Sequence, residues 1–343
     1  HVRSRRQRQM CIRDSIKRKE RLMRTKKRKI LWMMFFAFVF CAAFQSHCIK
    51  AEAKVVKRDV TPREPSSSDL QVVRKVTKLA SKRWIQSFTM DSKYYYYIQM
   101  TKPYCGNLRI TRVKYRGLGR YTRDHMDLKR FGHATNLDCS TVNGRTWLWT
   151  GSDCKKGSDV SRAISGFPYR KNTTLRKHGA IRYKIPDIRI GKYMTNIYPA
   201  ISEDNTQMAV RYTYNNRQYF QIYNLIDGKF INPRGPVKRF SIDATYGDFQ
   251  GFDLYESSVY TIDGSPRRSF LKAYNREHNC SAVYHPTRIR RYDFDSGASR
   301  RVVIRGAKRL SYREPEGIKV VSGRRVYIMS VSYTHLTLPT TPY

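Results

Sequence analysis

Residues 250–264 read QGFDLYESSVYTIDG, and this stretch decides the fold. A polar and glycine corner at residues 250–254 is followed by an aromatic-rich strand at residues 259–264. Short strands separated by Gly, Asn, Asp and Pro turns are typical of β-sheet proteins. No part of the chain beyond residue 84 shows an apolar period of 3.6 residues over three turns, so the sequence predicts an all-β domain.

The same corner-then-strand unit recurs along the chain. Corners at residues 132–137, 198–201 and 314–318 precede strands at 146–151, 208–212 and 325–329, and a weaker corner at 86–90 precedes a strand at 94–100. The five starts lie roughly 45 to 67 residues apart, which suits the four-stranded blades of a β-propeller. A β-sandwich would also contain many short strands, but it would not explain the recurring unit. We therefore predict a five-bladed β-propeller over residues 84–330, with its last blade truncated.

Both ends of the chain carry segments that the sequence excludes from this domain. Residues 10–15 (MCIRDS) and 331–340 (VSYTHLTLPT) resemble translated sequencing-adapter scars, so residues 1–15 and 331–343 are interpreted as adapter-derived; ordinary polar tails are the alternative. Residues 16–53 combine a basic stretch, an uninterrupted apolar run at 30–44 and a small-residue cleavage site ending at Ala53. This pattern predicts a secretory signal peptide, with an uncleaved anchor as the alternative, followed by a polar linker at residues 54–83.

Charge and composition restrict the class of partner. The chain contains 68 Lys and Arg against 26 Asp and Glu, for a formal net charge of +42. Residues 1–29 hold 14 of these cations and 2 of the acids, which leaves about +30 on the exported portion. The 25 Tyr and 15 Phe exclude a disordered chain, so the exported portion is expected to fold as a domain. With the predicted signal peptide, we expect this domain to be secreted, extracellular and monomeric. Its expected partner is an anionic bacterial wall polymer or envelope surface, with no nucleic acid and no cofactor.

Four cysteines lie in the predicted exported portion, namely Cys105, Cys139, Cys154 and Cys280. An even number outside the cell permits two disulfides with three possible connectivities, and Cys139–Cys154 is the first pair that we expect. None of the four shows the short paired spacing of a zinc site, so no metal is expected.

The corners supply most of the candidate ligand-binding residues. His133 is either a ligand contact at the mouth of the central channel or a structural histidine bonded to a neighbouring blade. Aromatic side chains interleaved with Lys and Arg are typical of surfaces that stack on sugars while cations hold phosphates. The ligand-binding candidates are His133, Asn136, Trp147, Trp149, Gln250, Glu314 and Glu316.

An enzymatic role is a second possibility. Glycosidases need a general acid together with a base or nucleophile, and Asp153, Asp253 and Glu316 are the carboxyl groups that we consider for these roles. Their spacing does not single them out. The chain also lacks a Gly-x-Ser-x-Gly elbow, a phosphate-binding glycine loop and a His-Glu-x-x-His motif. A non-enzymatic role is therefore favoured.

Three motifs resemble a known family. They are FGHA at residues 131–134, QGF at 250–252 and EPEGI at 314–318, and they resemble the helveticin J family of class III bacteriocins. They are also similar to the related five-bladed propeller of staphylococcal phage receptor-binding proteins and teichoic-acid-associated proteins, over about residues 85–330. The resemblance implies a secreted, antimicrobial propeller that binds anionic wall glycopolymer of target bacteria and inhibits their growth. A propeller glycan hydrolase acting on wall polysaccharide and a non-toxic wall-binding adhesin are the alternatives.

Overall fold

The computed structural model describes nine stretches of the chain: residues 79–81, 83–115, 124–176, 179–187, 191–215, 217–242, 248–304, 314–322 and 325–331. The predicted N-terminal scar and signal peptide lie outside these residues, as do most of the predicted linker and all but Val331 of the predicted C-terminal scar. Within the described residues, no helix has the length and apolar character needed to cross a membrane.

The first three sheets are built from strands that follow one another along the chain. Sheet 1 comprises β1 (Ile85–Met90), β2 (Tyr94–Lys102), β3 (Asn107–Lys114) and β4 (His125–Lys129), with β8 (Thr173–Arg176) added parallel to β4. Sheet 2 comprises β5 (Leu137–Val142), β6 (Arg145–Ser152), β7 (Ala163–Pro168) and β9 (Ile181–Tyr183). After a small ribbon of β10 (Pro186–Asp187) and β11 (Lys192–Tyr193), sheet 3 comprises β12 (Tyr198–Ile201), β13 (Gln207–Tyr214), β14 (Arg217–Ile226), β15 (Phe230–Ile231) and β16 (Lys238–Ile242).

The last two sheets differ in size and in one insertion. Sheet 4 comprises β17 (Phe249–Tyr255), β18 (Ser258–Asp263), β19 (Arg288–Asp293) and β20 (Ser299–Val303). The helix α1 (Arg268–His278) lies between β18 and β19, and it ends at Asn279, which adopts a left-handed conformation. Sheet 5 contains the described strands β21 (Glu314–Val321) and β22 (Arg325–Val331). Helix α1 was not predicted, because its eleven residues make barely three turns and its large apolar side chains are confined to Phe270, Leu271 and Tyr274.

The first strands of the five sheets surround a common axis. They contact one another in the cyclic order β1, β5, β12, β17, β21 and back to β1. This arrangement is a five-bladed β-propeller, which confirms the predicted fold class. The predicted corners are themselves these inner strands or their starts, and the predicted aromatic strands are the second strands of each blade.

Five hydrophobic clusters fill the interfaces between neighbouring blades. Sheets 1 and 2 enclose a cluster around Ile98 and Phe167, and the interface between sheets 5 and 1 is filled by a cluster around Phe88. Strands in a propeller are covered on both faces, so their apolar residues face the neighbouring blade on either side. The aromatic-rich strands of the sequence therefore serve mainly to pack blade against blade.

Candidate functional site

All five inner strands begin at the same end of the propeller, which we call the mouth face. Neighbouring strands of a blade are antiparallel, so the loops between second and third strands and the connections between blades also lie at this end. The Phe131 amide donates to the Gly106 carbonyl at 2.7 Å, and the Asn196 amide donates to the Ser161 carbonyl at 2.7 Å. These bonds join a blade connection to a loop in each case and hold the mouth face together.

Exposed cations crowd the mouth face. The loops and strand ends there carry exposed Lys102, Arg130, Lys155, Lys156, Arg268, Lys272 and Arg276, whereas the exposed acids there include Asp248 and Glu277. The turns and strand ends at the opposite end also carry exposed cations, among them Lys93, Lys114, Arg145, Arg170, Lys171, Arg234 and Arg325, but these are offset by the exposed acids Glu203, Asp204, Asp227, Glu256 and Asp295. The mouth face is therefore the more positive end, and it is the end suited to an anionic polymer.

A buried ion cluster occupies the propeller axis. The Lys319 ammonium lies 2.6 Å from Asp138 Oδ1 and 2.9 Å from Asp253 Oδ1. Burial opposes the charge on Lys319, but the two carboxylates raise its pKa, so the ammonium stays protonated. Burial raises the pKa of Asp253 to about 7, and the charge of Lys319 acts against this shift. The cluster is enclosed by protein and therefore has a structural role.

Each inner strand contributes one group to this cluster. Thr89 of β1 donates its hydroxyl to Asp138 Oδ1 at 3.0 Å, and the Ile201 amide of β12 donates to Asp138 Oδ2 at 2.6 Å. Asp138, Asp253 and Lys319 represent β5, β17 and β21. All five blades are thus connected through one set of buried hydrogen bonds and ion pairs.

Strand pairing is irregular at the start of three inner strands, which is the end of these strands at the mouth face. The register shifts at Gln86 in β1, at Gln250 in β17, and between Pro315 and Ile318 in β21, where Glu316 lies. Such bulges turn a side chain out of the regular ladder and are common next to binding sites. Gln250 and Glu316 were predicted site residues, and both lie at these irregular positions.

Gln250, Glu314 and Glu316 form one polar group at the mouth face. Gln250 donates its side-chain amide to Glu314 Oε1 at 3.0 Å. Glu316 is 6% exposed, and burial raises its pKa well above the usual range, with a further contribution from the negative charge of Glu314. The structure therefore brings three of the seven ligand-binding candidates together, as two carboxyl groups beside an amide.

Arg211, which was not predicted, contacts the residue that precedes Gln250. It is 5% exposed, and its guanidinium carbon lies 3.8 Å from the ring centroid of Phe249, the residue before Gln250. Nε of Arg211 has no hydrogen-bond partner, and no carboxylate among the described residues forms an ion pair with it. Burial lowers the pKa of Arg211 to about 10, which leaves the group charged at neutral pH.

His133 lies at the mouth face, as one of its two predicted roles required, but its ring is engaged. Nδ1 of His133 lies 3.0 Å from Asp159 Oδ2, in the loop that follows the second strand of blade 2. The hydrogen bond from His133 lowers the pKa of Asp159. This geometry matches the predicted structural role, in which the histidine bonds to a neighbouring blade.

Asn136, Trp147 and Trp149 do not join the polar group at the mouth. Asn136 is buried, accepts from the Phe252 amide at 3.0 Å and donates to the Pro199 carbonyl at 2.8 Å, so it joins three blades. Trp149 is fully buried and donates its indole N–H to Ser140, which makes it a core residue and excludes direct ligand contact. Trp147 lies near the opposite end of β6, under the Lys229 ammonium.

The three carboxyl groups considered for hydrolysis have different surroundings. Asp153 is buried in a mouth-face loop and pairs with Arg162 at 3.6 Å, whereas Asp253 belongs to the axial cluster. Glu316 lies beside the carboxyl group of Glu314, and Asp253 lies beside that of Asp138, with which it shares the Lys319 ammonium. The described geometry therefore does not assemble the predicted set of three.

The four candidate cysteines are free thiols in the structure. The expected Cys139–Cys154 disulfide is absent, because Cys139 donates its thiol to the Met90 carbonyl at 3.2 Å while Cys154 Sγ lies 3.9 Å from the Cys105 carbonyl. Burial raises the pKa of Cys139 to about 12, which keeps its thiol protonated. Cys280 is exposed after helix α1.

The sequence contained a signal for Lys319 but none for Arg211. Thr89, Asp138, Ile201, Asp253 and Lys319 lie three to six residues after the starts of the five recurring corners. Charged residues at such a position indicate an axial cluster. Arg211 is one of 68 Lys and Arg residues, and only its burial between two blades distinguishes it.

Comparisons with known proteins agree with this architecture. Residues 84–326 match the family described as "Phage 5-bladed beta propeller receptor binding platform domain". A protein of Bacillus subtilis (strain 168), named "Putative major teichoic acid biosynthesis protein C", is 29% identical over 257 residues, which cover 70% of this chain and 53% of that protein. The tail fiber of Staphylococcus aureus phage P68 has a similar fold, with a TM-score of 0.50 and 18% identity over 74% of this chain and 48% of that one.

The family match spans well over half of the chain, and the chain belongs to this family of phage five-bladed β-propeller receptor-binding platform domains. It spans about half the length of the two relatives.

Proposed function

We propose that this member of the phage receptor-binding propeller family binds an anionic glycopolymer of the bacterial cell surface through its mouth face. The observation that carries the proposal is the crowding of exposed cations, including Lys155, Lys156 and Lys272, on one end of the propeller. The names of the family and of the Bacillus relative, which refer to receptor binding and to teichoic acid, support the same class of ligand. In this proposal the protein is secreted and acts outside the cell as a monomer.

Wall binding by charge variants tests this proposal. We expect Lys155→Glu/Lys156→Glu to bind purified Gram-positive walls about tenfold more weakly than the wild type, because each reversal replaces attraction by repulsion. Arg145→Glu, at the opposite end, provides the matched control and is expected to bind nearly as the wild type does. Removal of teichoic acid from the walls, or salt near 1 M, is expected to weaken wild-type binding. Binding that resists both treatments would overturn the proposal.

We further propose that the bound protein inhibits the growth of target bacteria, as the resemblance to helveticin J implies. Binding to the wall would then bring the protein to a target cell, whose envelope it damages. Purified protein is expected to reduce viable counts of indicator bacteria, and the Lys155→Glu/Lys156→Glu variant is expected to lose this effect in proportion to its lost binding. Wall binding without any loss of viability would instead identify an adhesin.

Glycan hydrolysis is a second candidate, supported by the two neighbouring carboxyl groups of Glu314 and Glu316. A carboxyl with a raised pKa can act as a general acid near neutral pH. A hydrolase is expected to release reducing sugar from purified walls and to lose this activity in the Glu316→Gln variant. Walls that remain intact with the wild-type protein would exclude this candidate.

A further inference from the structure

Arg211 carries a buried charge that the described part of the protein does not neutralise. Its side chain is almost fully buried, its Nε donates no hydrogen bond, and the described carboxylates form no ion pair with it. The ring of Phe249 provides a cation–π contact but no hydrogen-bond acceptor. Buried charges in proteins are normally paired, because desolvation without a counter-charge is costly. A bound anion would supply the missing partner.

The position of Arg211 places it toward the mouth face. In β13 it pairs with Tyr198, which begins β12, and its guanidinium contacts Phe249, which begins β17. Both inner strands begin at the mouth face, so Arg211 lies at that end of the interface between blades 3 and 4. The exposed cations of the same face would raise the local concentration of an anionic polymer.

The polar group of Gln250, Glu314 and Glu316 begins at the next residue of the same strand. Gln250 follows Phe249 and donates to Glu314, whose carboxylate lies two residues from the buried Glu316. Carboxylates accept hydrogen bonds from hydroxyl groups and repel phosphates. An anion that also carries hydroxyls would therefore bind in one orientation, with its charge toward Arg211 and its hydroxyls toward Glu314.

We propose that Arg211 binds the phosphate of a polyol or sugar phosphate ester, while Gln250 and Glu314 bind the neighbouring hydroxyl groups. This inference rests on the proposed function and deepens it, because polymers built from such esters are the anionic glycopolymers that the mouth face would meet. A guanidinium is suited to the task, since it can give two parallel charge-assisted hydrogen bonds to one phosphate.

The first test measures thermal unfolding of the full chain in inorganic phosphate and in glycerol 3-phosphate. A ligand at tenfold its Kd should raise the wild-type Tm by about 3–6 °C. The Arg211→Met variant keeps a side chain that packs on Phe249, so we expect its Tm in phosphate-free buffer to match or exceed that of the wild type, with no shift in either ligand. The matched control, Arg145→Met, should shift as the wild type does. An equal shift for Arg211→Met, or no shift for the wild type, would overturn the proposal.

The second test concerns the hydroxyl contacts. Wild-type protein should bind glycerol 3-phosphate two- to tenfold more tightly than inorganic phosphate, which corresponds to about one or two added hydrogen bonds. Glu314→Ala should abolish this preference without weakening the binding of inorganic phosphate. A preference that survives in Glu314→Ala would overturn the role assigned to the carboxylate.

Measurements of wall binding distinguish a failure of this inference from a failure of the proposed function. We expect Arg211→Met to bind walls about tenfold more weakly than the wild type. Equal wall binding by the two proteins would overturn the phosphate site and leave the proposed function intact. If the wild type bound no walls but its Tm still rose with phosphate in a way that depends on Arg211, the proposed function would fail and the phosphate site would stand. Arg211-dependent binding to phosphatidylglycerol vesicles in place of walls would assign the phosphate to a lipid and overturn the polymer as its source.

Discussion

Lys319 Nζ lies 2.6 Å from Asp138 Oδ1, although the two residues are 181 positions apart in the chain. The contact joins the inner strands of blades 5 and 2 across the axis, and Asp253 of blade 4 completes the cluster at 2.9 Å. A buried ion pair formed by such distant residues exists only when the ring of blades is assembled. The axial cluster therefore links the stability of each blade to that of the whole propeller.

Removal of the axial ammonium should destabilise the propeller. Lys319→Met leaves the Asp138 and Asp253 carboxylates buried without a counter-charge, and we expect the free energy of unfolding to fall by about 3–5 kcal/mol. Lys129→Met, at an exposed position of β4, should change it by less than about 0.5 kcal/mol. Chemical denaturation followed by tryptophan fluorescence measures both. Equal effects of the two substitutions would show that Lys319 contributes no more to the free energy of unfolding than a surface lysine does.

Stability should depend on pH through Glu316. Burial raises the pKa of its carboxyl in the folded state above the value of about 4.3 expected in the unfolded chain. The folded state therefore holds this proton more tightly, and the resulting stabilisation is complete below about pH 4 and is lost as the pH rises through the raised pKa.

The Glu316→Gln variant isolates this effect because it keeps the shape of the side chain and does not titrate. We expect the variant to be more stable than the wild type at pH 7 to 8, and the difference to shrink toward pH 4. Denaturation curves at a series of pH values provide the comparison. Glu277→Gln, on the exposed surface of helix α1, reports the effect of removing a surface carboxylate. A difference that stays constant with pH for Glu316→Gln would contradict the prediction.

Close approach of the inner strands should make Gly251 intolerant of a side chain. Its φ is +140°, and an added Cβ would lie 3.3 Å from Asn136 Oδ1 and 3.3 Å from Gly317 Cα. We expect Gly251→Ala to destabilise the propeller by about 1–3 kcal/mol. Gly144→Ala is the matched control, because its φ is also positive, at +72°, but no atom lies within 4 Å of the added Cβ. The difference between the two Tm values measures the cost of crowding at the axis, and equal values would contradict it.

The sequence was sufficient for the architecture and for part of the site. Recurring corners predicted five blades because each inner strand must begin with a polar or glycine turn and then pack against both neighbouring blades. The same pattern could not show which side of a strand faces the axis, because bulges at Gln250 and near Glu316 change the register by one residue. Trp149, a predicted ligand contact, packs in the core between blades 2 and 3, because both faces of a propeller strand are covered and the sequence does not distinguish a core aromatic from an exposed one. Arg211 acquires its distinctive burial from residues of another blade, which local spacing cannot reveal.

A disulfide between Cys105 and Cys154 should form under oxidising conditions. Cys154 Sγ lies 2.1 Å from the position that a Cβ on Gly106 would occupy, so it reaches the backbone beside Cys105. Closing a loop of this length lowers the entropy of the unfolded chain and would add up to about 4 kcal/mol of stability. Peptide mapping after mild oxidation should find the 105–154 link, and Cys105→Ser should abolish the gain in Tm that oxidation gives the wild type. Cys280→Ser removes an exposed thiol as the control and should leave that gain unchanged. A mapped link between Cys139 and Cys154 would contradict the prediction, because the Cys139 thiol would have to leave its part-buried bond to the Met90 carbonyl, whereas the Cys105 thiol leaves an exposed bond to the Lys102 carbonyl.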